Sequence, residues 1–201
     1  MNEGKPPSYS ILVDNLSASN VVVFDVETTG LDVKSDDIIQ IAAVRLDAEG
    51  NHKEKFVRYL QASKSVGDSV EVHHITDEKL RQVGENPVTV LTQFLDFARD
   101  SVIVGHNVRY DLDILKNQLS RLGLSKLDFR VYYDTLWIYR KFYPERKSYS
   151  LEELSEEFNV SHKSSHDAFD DVSATAELLM RAVREKIVRL CRKNEKILCR
   201  A

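Results

Sequence analysis

Phe24-Asp25-Val26-Glu27-Thr28-Thr29-Gly30 closes a strongly apolar, β-branched run that begins at Asn20. Such a run reads as a buried strand. Side chains at i and i+2 share one face of a strand, so Asp25 and Glu27 project side by side from a bed of valines. Burying two carboxylates together is costly unless something positive lies between them. Oxygen donors of this kind favour a hard divalent cation, magnesium or manganese. The competing reading is that the two acids merely end the strand or cap the next helix, since charged side chains are mostly exposed.

Outward from this stretch, Ile38 to Leu46 reads as a second strand and Lys55 to Leu60 as a third. Asp47-Ala48-Glu49-Gly50 makes the hairpin turn between them, which predicts an antiparallel meander. Residues 1 to 19 read as a polar lead-in or linker. Thr76 to Val83 suits a short helix capped by Thr76 or Asp77. Pro87 opens a second helix to about Arg99, with Val90, Leu91, Phe94, Leu95 and Ala98 at helical spacing. Val102 to Val104 is a short buried strand, and Arg109 to Leu122 an amphipathic helix stopped at Gly123. Phe129 to Tyr133 reads as a fifth strand and Thr135 to Phe142 as a helix. Ser150 and Glu153 form a capping box for Leu151 to Phe158. A long helix starts near Asp167 and runs into a basic C-terminal segment. The order β-β-β-α-α-β-α-β-α-α-α predicts an α/β fold, a mixed five-stranded sheet (antiparallel meander plus parallel strands) flanked by helices. The expected divisions are a lead-in at 1–19, the main domain at 20–180 and a basic helical extension at 181–201.

A length of 201 residues with 42% hydrophobic residues suits one domain that needs no disulfide or structural metal. No stretch has the length of a transmembrane helix, and Met1 to Ser10 lacks the apolar core of a signal peptide. Cys191 and Cys199 lack the spacing of a zinc site or a disulfide framework, which points to a reducing, cytoplasmic compartment. A net charge of −4 does not advertise a nucleic-acid binder. Catalytic carboxylates make a chain look acidic, however, and bound cations reverse that sign locally. Basic residues also gather at the C-terminus: Arg181, Arg184, Lys186, Arg189, Arg192, Lys193, Lys196 and Arg200. Val183, Ile187, Leu190 and Cys191 form an apolar stripe opposite them. The simple reading is a final helix packed on the domain. The alternatives are a face that grips a nucleic-acid backbone, or one that docks a polymerase, another protein or a second copy of the chain.

Two further groups carry chemistry. Gly105-His106-Asn107-Val108-Arg109-Tyr110-Asp111-Leu112-Asp113 joins a strand to a helix. Asp111 falls in the first helical turn, where a carboxylate also suits the helix dipole. Asp113, two residues on, points elsewhere. In His166-Asp167-Ala168-Phe169-Asp170-Asp171, helical spacing brings His166 near Asp170 or Asp171. Asp167 reads as a cap.

Together, the FDxETTGLD, GHNxxxD and HxxxxD segments resemble, in order, the three exonuclease motifs of the DnaQ-like DEDDh family, which includes proofreading subunits and domains of bacterial replicative polymerases. Val72-His73-His74-Ile75-Thr76-Asp77-Glu78 resembles the family's VHGITDE segment, and Tyr133-Asp134-Thr135-Leu136 its DTL segment. The resemblance spans roughly Val21 to Leu179. It implies a ribonuclease-H-like fold and metal-dependent 3′→5′ exonuclease activity. By that resemblance the site acids are Asp25, Glu27, Asp111 and Asp171, with Asp113 and Asp170 set aside, and His166 is the general base. Two Mg2+ or Mn2+ ions are implied. Asp25, Glu27 and Asp171 would hold the ion that binds the attacking water, and Asp25 and Asp111 the ion beside the leaving 3′ oxygen. Imidazole suits the base role because its ordinary pKa lies near neutrality. Thr28 and Thr29 are expected near the terminal sugar, His73 near the substrate, and Ile75 wedged against the terminal base. A wedging contact tolerates any base. His74 stands where the family has glycine, and His162 lacks a partner at the right spacing and reads as a loop residue. The ETTG form of the first motif leans toward DNA, with single-stranded 3′ ends as the expected substrate. The competing readings are an exoribonuclease, separated by the 2′-hydroxyl, a catalytically silent nucleic-acid-binding module, and an endonuclease of the wider ribonuclease-H-like architecture.

Overall fold

The computed structural model describes residues 9–124, 132–162 and 166–198. The valine-rich run forms β1, Val21–Thr28, which reaches two residues further than its apolar pattern predicts and so carries Glu27 inside the strand. Ile38–Leu46 forms β2 and His52–Tyr59 forms β3, and both pairings, β1 with β2 and β2 with β3, are antiparallel. β4, Val102–Gly105, pairs with β1 in parallel, and β5, Tyr132–Asp134, pairs in parallel with β4. The strand order β3-β2-β1-β4-β5 puts β1 at the centre of the predicted mixed sheet. The fifth strand is expected from Phe129; residues 129–131 lie outside the described residues, and the described strand runs from Tyr132 to Asp134.

Alternation along β1 divides the core in two. Val22, Phe24 and Val26 face one apolar cluster with α4, Pro87–Phe97, and α5, Arg109–Arg121. Val21 and Val23 face the other, with residues of α6, Thr135–Phe142, α7, Leu151–Phe158, and α8, Ala168–Leu198. Asp25 and Glu27 share the parity of Val21 and Val23, so they turn toward the α8 side. The expected N-caps form, although at α7 the Ser150 N–H donates to Ser148 Oγ rather than to Glu153, so the capping box is only half made. Thr76 Oγ1 accepts from Lys79 N–H ahead of α3, Asp77–Val83, and Ser150 accepts from Glu153 N–H ahead of α7.

Two expected boundaries fall differently. Tyr9–Ser17, read as linker, is helix α1, and its Leu12 and Leu16 are buried in the core. Their four-residue spacing places both on one helical face, a signal too short to stand out beside the polar residues around it. At the other end, α8 runs unbroken across residues 180 and 181. Val183 is buried in the same core, and Glu185 accepts a 2.5 Å hydrogen bond from the Tyr143 hydroxyl. The final helix therefore packs on the domain at least to that point. The sequence also gave no sign of α2, Val70–His73, preceded by a 3-10 turn at Gly67–Ser69. Among the described residues no helix is long and apolar enough to cross a membrane.

Candidate active site

β4 ends at Gly105, beside Phe24 of the parallel β1 and just short of Asp25, and the chain leaves it directly into the loop before α5. Ligand sites of open α/β sheets lie in such crevices beyond the carboxyl ends of strands. β1 delivers Asp25 and Glu27, the first turn of α5 delivers Asp111, and the first turn of α8 delivers Asp171. The Asp111 carboxyl accepts from the Val26 backbone N–H, which ties α5 to the strand bearing the acid pair. Asp134 closes the floor. Its Oδ1 accepts from Asn107 N–H at 2.9 Å and from Leu136 N–H at 3.0 Å, so one carboxylate caps α6 and holds the loop after β4. His106 is half-buried behind that loop. Its Nε2–H donates to the Tyr149 carbonyl at 2.8 Å, and burial pushes its pKa down to about 4, leaving the ring neutral.

Electrostatics mark this cluster. Burial pushes Glu27 up to about 9, with Asp171, Asp111 and Asp167 adding repulsion. Burial pushes Asp111 up to about 8. Asp25 is also raised well above the carboxylate range, by burial and then by Asp111, Asp171, Glu27 and Asp167. Groups so displaced, meeting in one crevice, are a mark of function. Glu27, His166 and Asp171 each offer a donor atom, all within 4.8 Å of one another. Hard oxygen donors plus one imidazole, crowded beyond what carboxylates tolerate without a counter-charge, fit a divalent cation. His166 itself is exposed at the mouth, with a left-handed φ of 64°. Strained backbone of this kind collects at functional sites.

The family model described as exonuclease, RNase_T, matches residues 22–179. The chain belongs to this exonuclease family. It is 39% identical over 186 residues to the PolC-type DNA polymerase III of Streptococcus pyogenes serotype M18 (strain MGAS8232), which covers 90% of this chain and 12% of that protein. The PolC-type polymerase of S. pyogenes serotype M1 is 38% identical over the same shares. The chain thus spans about an eighth of the length of these curated relatives. Among solved structures, the zinc-bound form of E. coli exonuclease I in complex with single-stranded DNA superposes with a TM-score of 0.75 at 26% identity, over 88% of this chain and 42% of that one. E. coli exonuclease I with a dT13 oligonucleotide gives 0.73 at 25%, over 87% and 43%. Sequence and fold agree on a DnaQ-like nuclease domain.

In this exonuclease domain the four expected acids and His166 converge. Asp113 instead pairs with Arg109 at 3.8 Å on the exposed side of α5. Asp167 Oδ1 accepts from Phe169 and Asp170 N–H, so it does cap α8, while also adding its charge to the cluster. The residues expected to touch substrate are all buried. Ile75 is 2% exposed, packed with Ile39, Val66 and Leu80, and does not present a wedge. His73 is buried. Its Nδ1 accepts from Ile75 N–H at 3.0 Å and its Nε2 lies 3.0 Å from Ser69 Oγ, while the ring also hydrogen-bonds the Thr28 backbone and lies near His166, so it ties its own loop to the end of β1 beside the acids. Thr28 Oγ1 donates to the Gly30 carbonyl, as does the Tyr110 hydroxyl. Thr29 Oγ1 donates to Asp36 Oδ1 and accepts from Asp37 N–H. Both threonines are buried and shape the turn after β1. Arg121 completes that clamp by donating to the Lys34 and Asp36 carbonyls and to Asp37 Oδ1. His74 adopts φ 58°, which explains the family's glycine at this place.

His162 is the residue that sequence reasoning missed. Its Nε2 is hydrogen-bonded to Asp171 Oδ1, so it does have a partner, in the site itself. The nine-residue spacing to Asp171 matches no helical period, and no local rule joins the two.

Proposed function

We propose that this domain is a divalent-cation-dependent 3′→5′ exonuclease that releases nucleoside monophosphates one at a time from DNA 3′ ends, preferring single strands. The observation that carries the reading is the convergence of Asp25, Glu27, Asp111 and Asp171, with His166, at the carboxyl ends of β1 and β4. The E. coli exonuclease I complexes with single-stranded DNA support the choice of substrate. The PolC-type relatives support a place beside a replicative polymerase, with proofreading as the activity.

Asp25, Glu27 and Asp171 would hold one Mg2+ or Mn2+, and Asp25 and Asp111 a second. Bound there, two such ions supply an activated water and offset charge on the leaving oxygen. The chain's own contribution is orientation. The Val26 amide holds the Asp111 carboxylate, and the first turn of α8 delivers Asp171 close to it. His166, at the mouth, takes the proton from the water as that oxygen adds to phosphorus, and the P–O3′ bond breaks. The turn fixed by Thr28, Thr29, Tyr110 and Arg121 walls the crevice.

The test is cleavage of 3′- and 5′-labelled single-stranded DNA, duplex DNA with a 3′ overhang, and matching RNA, with Mg2+, Mn2+ or chelator, beside Asp25→Ala. A metal-dependent ladder from the DNA 3′ end, lost in the variant, supports the reading. A ladder on RNA alone, or binding with no cleavage under any metal, overturns it.

A further inference from the structure

His162 stands outside the chemistry assigned above, yet its side chain is 5% exposed and rests against one of the four acids. With Asp171 ionised, as holding a cation requires, its carboxylate only accepts, so the imidazole Nε2–H is the donor to Oδ1. Asp171 also accepts from the His166 backbone N–H. Two donors therefore grip this carboxylate from the segment that leads into α8. A carboxylate offers about four lone-pair sites, so two remain for other partners. One Asp171 carboxylate oxygen still lies within 4.8 Å of donor atoms of Glu27 and His166. The half-buried His106 lies near His162.

A hydrogen bond to a buried anion stabilises the charged form that a cation requires, and here it opposes the burial that raises Asp171. It also limits rotation about the Cβ–Cγ bond. Losing an outer partner that orients a ligand in this way typically costs about 10- to 100-fold in metal affinity or activity.

We propose that His162 is a positioning residue for the metal site, donating Nε2–H to Asp171 Oδ1 so that the carboxylate turns its free lone pairs toward the cation it shares with Glu27. This rests on the cation-dependent reading of the site. It makes two histidines, four residues apart, serve one aspartate in different ways: His166 faces the reacting water, and His162 orients the ligand.

The test is Mn2+ titration of the whole chain without DNA, by calorimetry, on the wild type, His162→Leu and His162→Gln. Leucine fills the buried space without an N–H, and glutamine carries its amide nitrogen at a reach similar to Nε2. His162→Leu should weaken Mn2+ roughly ten- to a hundredfold, and His162→Gln should stay near wild type. In turnover, the KM for a 3′-labelled single strand should hold while kcat at limiting Mn2+ falls and saturating Mn2+ restores it. Equal or tighter Mn2+ binding by His162→Leu overturns the proposal, because the imidazole would then merely compete with the ion. Glutamine as weak as leucine also overturns it. A wild type that binds Mn2+ but degrades no nucleic acid sinks the proposed activity while the titration still decides the role of His162.

Discussion

Replacing Glu27 by glutamine should stabilise the metal-free protein while removing its activity. The Glu27 carboxyl moves from 4.5 to about 9 on folding. Because the folded value is the higher one, the folded chain keeps a proton that the unfolded chain releases. The stability from this group is complete below about pH 4.5 and drains as the pH rises toward about 9. Each pH unit inside that window is worth about 1.4 kcal/mol. By about pH 8 the wild type has lost on the order of 5 kcal/mol from this group, against ~1 kcal/mol near pH 5. Glutamine has the shape of the protonated acid and does not titrate, so the variant escapes the loss. At roughly 2–4 °C per kcal/mol for a domain of this size, its Tm in chelator should exceed the wild type by about 10 °C or more near pH 8, and by only a few degrees near pH 5. Saturating Mn2+ should narrow or reverse the gap, since it binds the native wild type and stabilises it by mass action. Thermal melts at the two pH values, with chelator and with Mn2+, read this directly. Equal melting of the two proteins at high pH in chelator would refute the argument that these acids are buried together in mutual repulsion.

Leu12→Ala should cost roughly 2–5 kcal/mol by denaturant unfolding, because Leu12 of α1 is fully buried; a loss under about 0.5 kcal/mol would return residues 9–17 to linker status. His74→Gly should gain on the order of 1 kcal/mol, since φ 58° strains any side chain there; unchanged melting refutes this. Gly105→Ala should destabilise by about 1–3 kcal/mol, because a Cβ at that position would meet Val108 Cγ2 at 2.6 Å and the Phe24 carbonyl at 3.1 Å; near-neutral stability would mean the β4–α5 junction has slack. Ending the chain after Glu185 keeps Val183 and the Tyr143 bond but removes Lys186, Arg189, Arg192, Lys193, Lys196 and Arg200. If that tail grips phosphates, DNA affinity falls and its salt dependence flattens; an unchanged slope in a binding titration rejects the idea.

Local rules carried much of the fold. β2, α6 and α7 have the bounds their patterns imply, because each is framed by its own signals: a hairpin turn, an Asp134 cap, and a Ser150 cap. α1 was hidden because its burial comes from two leucines on one short face, and their value depends on a core that other segments build. The acid set was legible because strand parity and the first turns of two helices place Asp25, Glu27, Asp111 and Asp171 by short-range geometry. The residues around them were not. Ile75, His73, Thr28 and Thr29 sit in the expected segments, yet which way each side chain turns depends on Ser69, Asp36, Tyr110 and the small cluster around Ile39.

By itself the sequence determined the strand that carries two acids, the order of elements and the identity of the motifs, since these depend on periodicity and on neighbours within a few residues. Tertiary structure alone decided that His162 meets Asp171 and that Ile75 turns inward. Those outcomes depend on contacts between segments far apart or out of helical register, and the sheet must first bring them together before any of them exists.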